Sequence, residues 1–313
     1  MNIRFFDKNS VITLTKFFKT FLSSILLTAI LVGCSDKTNT KQVTVVESVE
    51  GIMMPESAAA MNDGRIIISE IGEFGKDGDG KIVQILIDGE KKIIADSGLN
   101  DPKGLIVKDD FIYVTDNDEV KKIGMTGDVE TWLTADDFPR KPQFLNDITS
   151  DNNFIYISDS GDLLNGKGGG AIFKVDSNKK ITVLVDETND MNIRSPNGLS
   201  THQDGYLTFN DFENGFLFRV KLGDLVVEKL SEGYGGADGL VATGDSLYLS
   251  DWKNGKVFRL DTSKEGTKPT LIKEGMEGSA DIDITTDGKY LIIPEMKANR
   301  VIIHPLDWLI FNN

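Results

Sequence analysis

Six residues stand at the head of a repeated frame and could do chemistry together: Glu56, Lys103, Asn146, Asn197, Asp238 and Asp281. Their frames read MPES, DPKG, FLND, SPNG, GADG and SADI. Carboxylates and amides converging without His or Cys suit a hard divalent cation. Ca2+ is the first choice, with Mg2+, Mn2+ or Zn2+ as alternatives. The same pattern is also that of polar residues lining a wet channel. Lys103 is the odd member, because a metal beside it would repel it. It is expected either to lean toward Asp281 or a substrate carboxylate, holding an anion or a developing oxyanion, or to extend its ammonium into solvent.

The elements that must position these residues follow from the frame itself. In its clearest copy, Ser195–Asp211 (SPNGLSTHQDGYLTFND), a polar opening leads into an apolar run, a QDG turn and a returning strand. The six openings lie 47, 43, 51, 41 and 43 residues apart, and an acid follows each by 13 or 14 residues: Glu70, Asp116, Asp159, Asp211, Asp251 and Glu295. Short runs such as RIIIS, FIYVT, FIYIS and SLYLS alternate with turn pairs, which predicts strands rather than helices. Units of that length with several short strands predict an all-β, six-bladed β-propeller. A strand over Val43–Val49 is expected to complete the last blade.

In such a ring the openings share one mouth of the central channel, and the QDG-type turns, with His202, take the opposite face. The six acids, present in every frame, read as caps of the loops to the third strands. Asp211, preceded by Asn210, is expected to be the one that faces the mouth and meets substrate. The pairs Asn165-Gly166, Asn214-Gly215 and Asn254-Gly255 read as turns into third strands. Two loops stand out. Glu73–Lys81 reads as a hairpin turn, lacking the acids of a calcium loop. Gly161–Gly170 reads as a lid or a tolerated insertion.

The stretches EGIMMPESAAAMNDGRIIISE, FLNDITSDNNFIYISD, SPNGLSTHQDGYLTFND and GADGLVATGDSLYLSDWKNGKVFRLD resemble successive blades of the senescence-marker-protein (regucalcin)/gluconolactonase family. The resemblance covers nearly all of the chain past the N-terminal segment. It implies one divalent cation held by Glu56, Asn197 and Asp238, with Asn146 close by as a substrate-binding residue. It also implies opening of lactone or related ester bonds, with Asp238 handling a proton. Phe144 stands where members acting on sugar lactones often carry Arg, and Glu56-Ser57-Ala58 replaces the usual Glu-Gly-Pro. The ligand set is kept and the sugar-reading set is not. Two other readings stay open: a non-catalytic propeller binding a ligand or protein, and a strictosidine-synthase-like propeller with a catalytic Glu and no metal.

Arg4, Lys8, Lys16 and Lys19 precede an uncharged run ending in Leu31-Val32-Gly33-Cys34, which resembles a bacterial lipobox. Residues 1–33 are therefore expected to be a lipoprotein signal peptide, Cys34 the lipidated residue, 34–42 a tether and 43–313 the propeller. The expected location is the cell envelope, on the outer membrane of a diderm because Ser35 follows the cysteine. Loss of residues 1–33 would remove four basic residues and one acid from totals of 34 and 49, leaving 30 and 48 and a net charge near −18. Such a surface repels nucleic acid and favours cations. The expected partners are a small-molecule substrate and, through Cys34, a membrane. No G-x-S-x-G or H-E-x-x-H occurs, and the only cysteine is Cys34.

Overall fold

The computed structural model describes residues 44–201, 205–264 and 266–306. They form six four-stranded antiparallel sheets, the blades of a β-propeller. The innermost strands are Pro55–Ala60, Pro102–Lys108, Leu145–Ser150, Pro196–Thr201, Ala237–Thr243 and Asp283–Ile284, for blades 1 to 6 in turn. Ser48–Glu50 pairs with Arg300–Ile302 as the outermost strand of blade 6, so the ring is closed by the N-terminal strand. This strand is shorter than the Val43–Val49 expected, because the chain before it turns to blade 1, where Val46 N–H donates to Ile87 O. The segments expected to be a signal peptide and a tether, together with Cys34 and His202, lie outside the described residues. No helix among the described residues is long and apolar enough to cross a membrane.

The core lies between blades. Six buried apolar clusters each join one blade to the next, for example Ile67, Ile82 and Leu99 of blade 1 with Leu105, Ile112 and Ile123 of blade 2. The second strands are covered on both faces, and Ile66–Glu70, Ile155–Asp159 and Ser246–Asp251 are buried at every position. Their near-continuous apolar runs follow from that. The outermost strands are largely open to solvent, as in Lys91–Ala95, where the first three residues are exposed.

One local feature recurs where each innermost strand opens. In blades 1 to 5 the pairing register shifts by one residue, so that two residues oppose one on the second strand: Glu56-Ser57, Lys103-Gly104, Asn146-Asp147, Asn197-Gly198 and Asp238-Gly239. These are β-bulges, which bend a strand and re-aim its side chains. The single residue opposite is Ser69, Thr115, Ser158, Asn210 or Ser250. Four of these five accept a bulge N–H with the side chain, as Ser69 Oγ does from Ser57 at 2.9 Å and Ser250 Oγ from Gly239 at 2.7 Å. Thr115, Asn210 and Ser250 also donate to a carbonyl of the next blade: Asn146 O, Asp238 O and Ala280 O.

The acids after these residues are scaffold, with a target different from the one expected. Asp116 accepts from Asn100 and Asp101 N–H, Asp159 from Gln143 and Phe144, Asp211 from Arg194 and Ser195, Asp251 from Gly235, and Glu295 from Glu277. These five tie down the loop that enters their own innermost strand; Glu70 of blade 1 pairs with Lys81 instead. Asp159, Asp211 and Asp251 also reach toward the third strand through the backbone of Gly161, Asn214 and Asn254, and Glu70 and Glu295 accept from the side chains of Lys81 and Arg300 at the start of theirs. The glycines of the three Asn-Gly pairs all have positive φ, as the turn reading requires.

Candidate functional site

The bulges bring the opening residues to one mouth of the channel and bury them. Glu56, Lys103, Asn146, Asn197 and Asp238 are only 2–5% exposed. Asn197 Nδ2 donates to Asp238 Oδ1 at 3.3 Å, and Asn146 Nδ2 to Ser160 Oγ at 3.1 Å. Asp281 is one residue out of register with this ring. Ser279 pairs with Glu295 as Pro55 does with Glu70, so the sixth opening position is Ala280. The blade 6 hairpin is longer at its turn, and that hid the shift behind a constant spacing to the acid.

Asp281 belongs to a second tier formed by the second bulge residues: Ser57, Gly104, Asp147, Gly198, Gly239 and Asp281. Glycine is needed where a neighbouring blade crowds in. A Cβ on Gly104 would stand 2.5 Å from Asp147 Cα, and one on Gly239 2.5 Å from Asp281 Cα. Asp147 was not anticipated from the sequence, although a polar residue directly after an opening residue was a readable signal. It accepts from Leu199 N–H and Ile148 N–H, both at 2.6 Å. Asp281 Oδ2 accepts from Ser57 Oγ at 2.5 Å. Beyond this tier a cavity of about 270 Å³ follows the channel toward the turn face, lined by Asp147, Asp281 and Asp283 among the inner strands.

Five carboxyl groups thus share the channel with one ammonium. Burial, followed by the charges of Asp238, Asp281 and Asp147, pushes Glu56 well above the usual carboxylate range, against the pull of Lys103. Burial and Asp281 do the same to Asp238, opposed by the Asn197 hydrogen bond. Asp147 is raised by burial and then by Asp281. Burial lifts Asp281 to about 7 and Asp283 to about 6. Burial lowers Lys103, and Glu56, Asp101 and Asp116 oppose that.

The expected ligands are two carboxylates and an amide. No group of three or more His, Cys, Asp or Glu side chains that could hold a metal occurs among the described residues. The donors nevertheless fit a hard cation. Glu56 Oε2 is buried with no hydrogen-bond partner, a costly state for a carboxylate oxygen. The Asn197 amide, turned over, would present its oxygen beside Asp238.

Asp211 does not stand apart at the mouth: it is fully buried, and its carboxylate is committed to backbone N–H groups of Arg194, Ser195 and Asn214. Its neighbour Asn210 is the residue that touches the site, at the backbone of Asp238. Lys103 does not reach Asp281. Its ammonium donates to Asp101 O at 3.1 Å and lies 4.7 Å from the phenyl centroid of Phe144. The Glu73–Lys81 loop connects two strands of blade 1 and is pinned to blade 2 through Gly75 N–H on Asp101 and Gly78 N–H on Asn100. Gly161–Gly170 is held by Arg140 on Gly169 O and Arg194 on Gly166 O. His304 pairs with Leu291, at the end of its strand away from Glu295.

No protein-family model and no curated protein sequence matches the chain. Similar solved structures are numerous. One is the crystal structure of a nidogen/laminin complex, similar over 69% of this chain and 79% of that chain, with a TM-score of 0.57 at 19% identity. At that identity the likeness establishes the β-propeller fold and carries nothing about the site.

Proposed function

We propose that the protein is a divalent-metal-dependent hydrolase of lactone or ester bonds, of the gluconolactonase-like kind, working in the cell envelope. The observation that carries this reading is Glu56 Oε2, buried and unpartnered in the same ring as Asp238, Asn197 and Asn146. Glu56, Asn197 and Asp238 would hold the cation, Ca2+ first among the candidates. A bound cation would polarise the substrate carbonyl and make water more acidic. Asp238 takes a proton from the attacking water and returns it to the departing alkoxide. Asn146, steadied by Ser160, orients the substrate or that water.

Calorimetric titration with Ca2+, Mn2+ and Zn2+, followed by a lactone and ester panel with each metal, tests the reading. Wild type should bind and turn over, and Asp238→Ala should lose both. A metal-loaded, active Asp238→Ala protein would overturn it. The near-complete burial of the opening residues favours a second reading, a non-catalytic propeller with a structural cation. Tight metal binding with no turnover across the panel selects it. A propeller that uses Glu56 without metal would show neither metal in the purified protein nor metal-stimulated turnover.

A further inference from the structure

Lys103 is a buried cation that makes no ion pair. It is 3% exposed. Of the acids near it, Glu56 pulls on it most strongly, while Asp101 turns its carboxylate to Gly75 N–H and Asp116 turns to Asn100 and Asp101 N–H. None of the three stands within ion-pair distance of its ammonium. An ammonium has three N–H directions. Asp101 O takes one and the face of Phe144 a second, an interaction much weaker than a carboxylate partner when both are buried. A buried, unpaired ammonium is expensive to keep.

We propose that the mouth takes a substrate bearing a carboxylate next to its lactone or ester bond, and that Lys103 is the residue that binds this carboxylate. The proposal rests on the hydrolase reading of the same site. One lysine in an otherwise acidic mouth can offset one negative charge, which favours a monoanion over a phosphate dianion. Phe144 packs 6.4 Å from Phe74, which is 45% exposed. The two phenyl rings therefore form an apolar wall from solvent to Lys103, suited to the carbon frame beside the carboxylate.

The test compares a γ-butyrolactone carrying a ring carboxylate with its neutral carboxamide, by calorimetry on the full chain, with and without Ca2+. Wild type should bind the acid about tenfold or more tightly than the amide, the worth of a charge-assisted hydrogen bond. Lys103→Met should bring the two within about twofold of each other, and Lys103→Arg should keep a preference for the acid. Ca2+ affinity of Lys103→Met should equal or exceed that of wild type, because a repelling charge is gone. Circular dichroism and melting verify the fold, and Lys103→Gln replaces Lys103→Met if the latter does not fold. Equal binding of acid and amide by wild type, or an undiminished preference in Lys103→Met, overturns the inference. Absence of Ca2+, Mn2+ or Zn2+ binding overturns the hydrolase reading instead, and the acid–amide comparison on the metal-free chain still decides the role of Lys103.

Discussion

Two sets of buried acids in the same ring of blades meet opposite fates. Asp159 and Asp211 are surrounded by backbone N–H donors: Gln143, Phe144 and Gly161 for the first, Arg194, Ser195 and Asn214 for the second. Glu56 and Asp238, at the mouth, are surrounded mainly by other acids. Burial raises both sets, but in the first the N–H groups pull back. In the second, neighbouring carboxylates add to the rise. A carboxylate with donors on every side is a brace. One without them is a place that waits for something positive, and the repetition of the first set against the variation of the second already separates the two roles along the chain.

Removing a brace should be the costliest change. Asp159→Ala removes the acceptor of three N–H groups, that of Gly161 buried and those of Gln143 and Phe144 part-buried, and an unsatisfied buried group costs about 1–3 kcal/mol. A loss of roughly 2–3 kcal/mol is expected in urea denaturation. A loss under about 1 kcal/mol would remove the acids from the scaffold.

The channel should instead respond to protons. Asp281 at about 7 and Asp283 at about 6 both stand above the ordinary aspartate value near 3.9. The folded state therefore binds more protons than the unfolded state between those values. Stability is highest at the acid end of that window and falls as pH rises from about 4 through 6 and 7. Melting curves of the metal-free protein over that range should show this fall, and Asp281→Asn with Asp283→Asn should flatten it. Divalent affinity should move the other way, tightening as pH rises, because Glu56 and Asp238 must ionise to bind. Metal-free stability that rises through the window would mean the channel acids are paired in solution.

Glu56→Gln sharpens the contrast further. It replaces an unpartnered buried carboxyl with a neutral amide of similar shape, so metal-free stability should hold or gain about 1–3 kcal/mol. Divalent affinity should fall by more than the 10–100-fold typical of changes outside the ligand shell. A brace acid mutated in the same manner would lose stability.

The ring architecture was legible because each blade repeats a strand–turn–strand period with an acid at its end, and repetition survives when no single motif is specific. The second tier was not. Asp147 and Asp281 occupy the second bulge position, and a bulge leaves no mark on strand periodicity: it only lets two neighbouring side chains serve where alternation allows one. Spacing to Glu295 placed Asp281 in the wrong tier, since a longer hairpin in blade 6 compensated for the missing residue. Asp211 was misjudged because backbone N–H donors carry no sequence signature. The residue before each acid held the overlooked pattern: Ser69, Thr115, Ser158, Asn210 and Ser250, with Pro294 in blade 6.

That pattern yields the smallest expected effect and the finest division between brace and site. Asn210 Oδ1 accepts from Gly198 N–H at 3.0 Å, and its Nδ2 donates to Asp238 O. Ser250 makes the equivalent pair with one hydroxyl, accepting from Gly239 at 2.7 Å and donating to Ala280 O at 2.7 Å. A serine in blade 4 should then do what serine does in blade 5, because a hydroxyl can donate and accept at once. Asn210→Ser should cost less than about 1 kcal/mol and change Ca2+ affinity less than about threefold. If denaturation shows a small loss while calorimetry shows a large one, Asn210 is tuned to the position of Asp238, and the boundary between the two sets of residues moves one side chain further from the mouth.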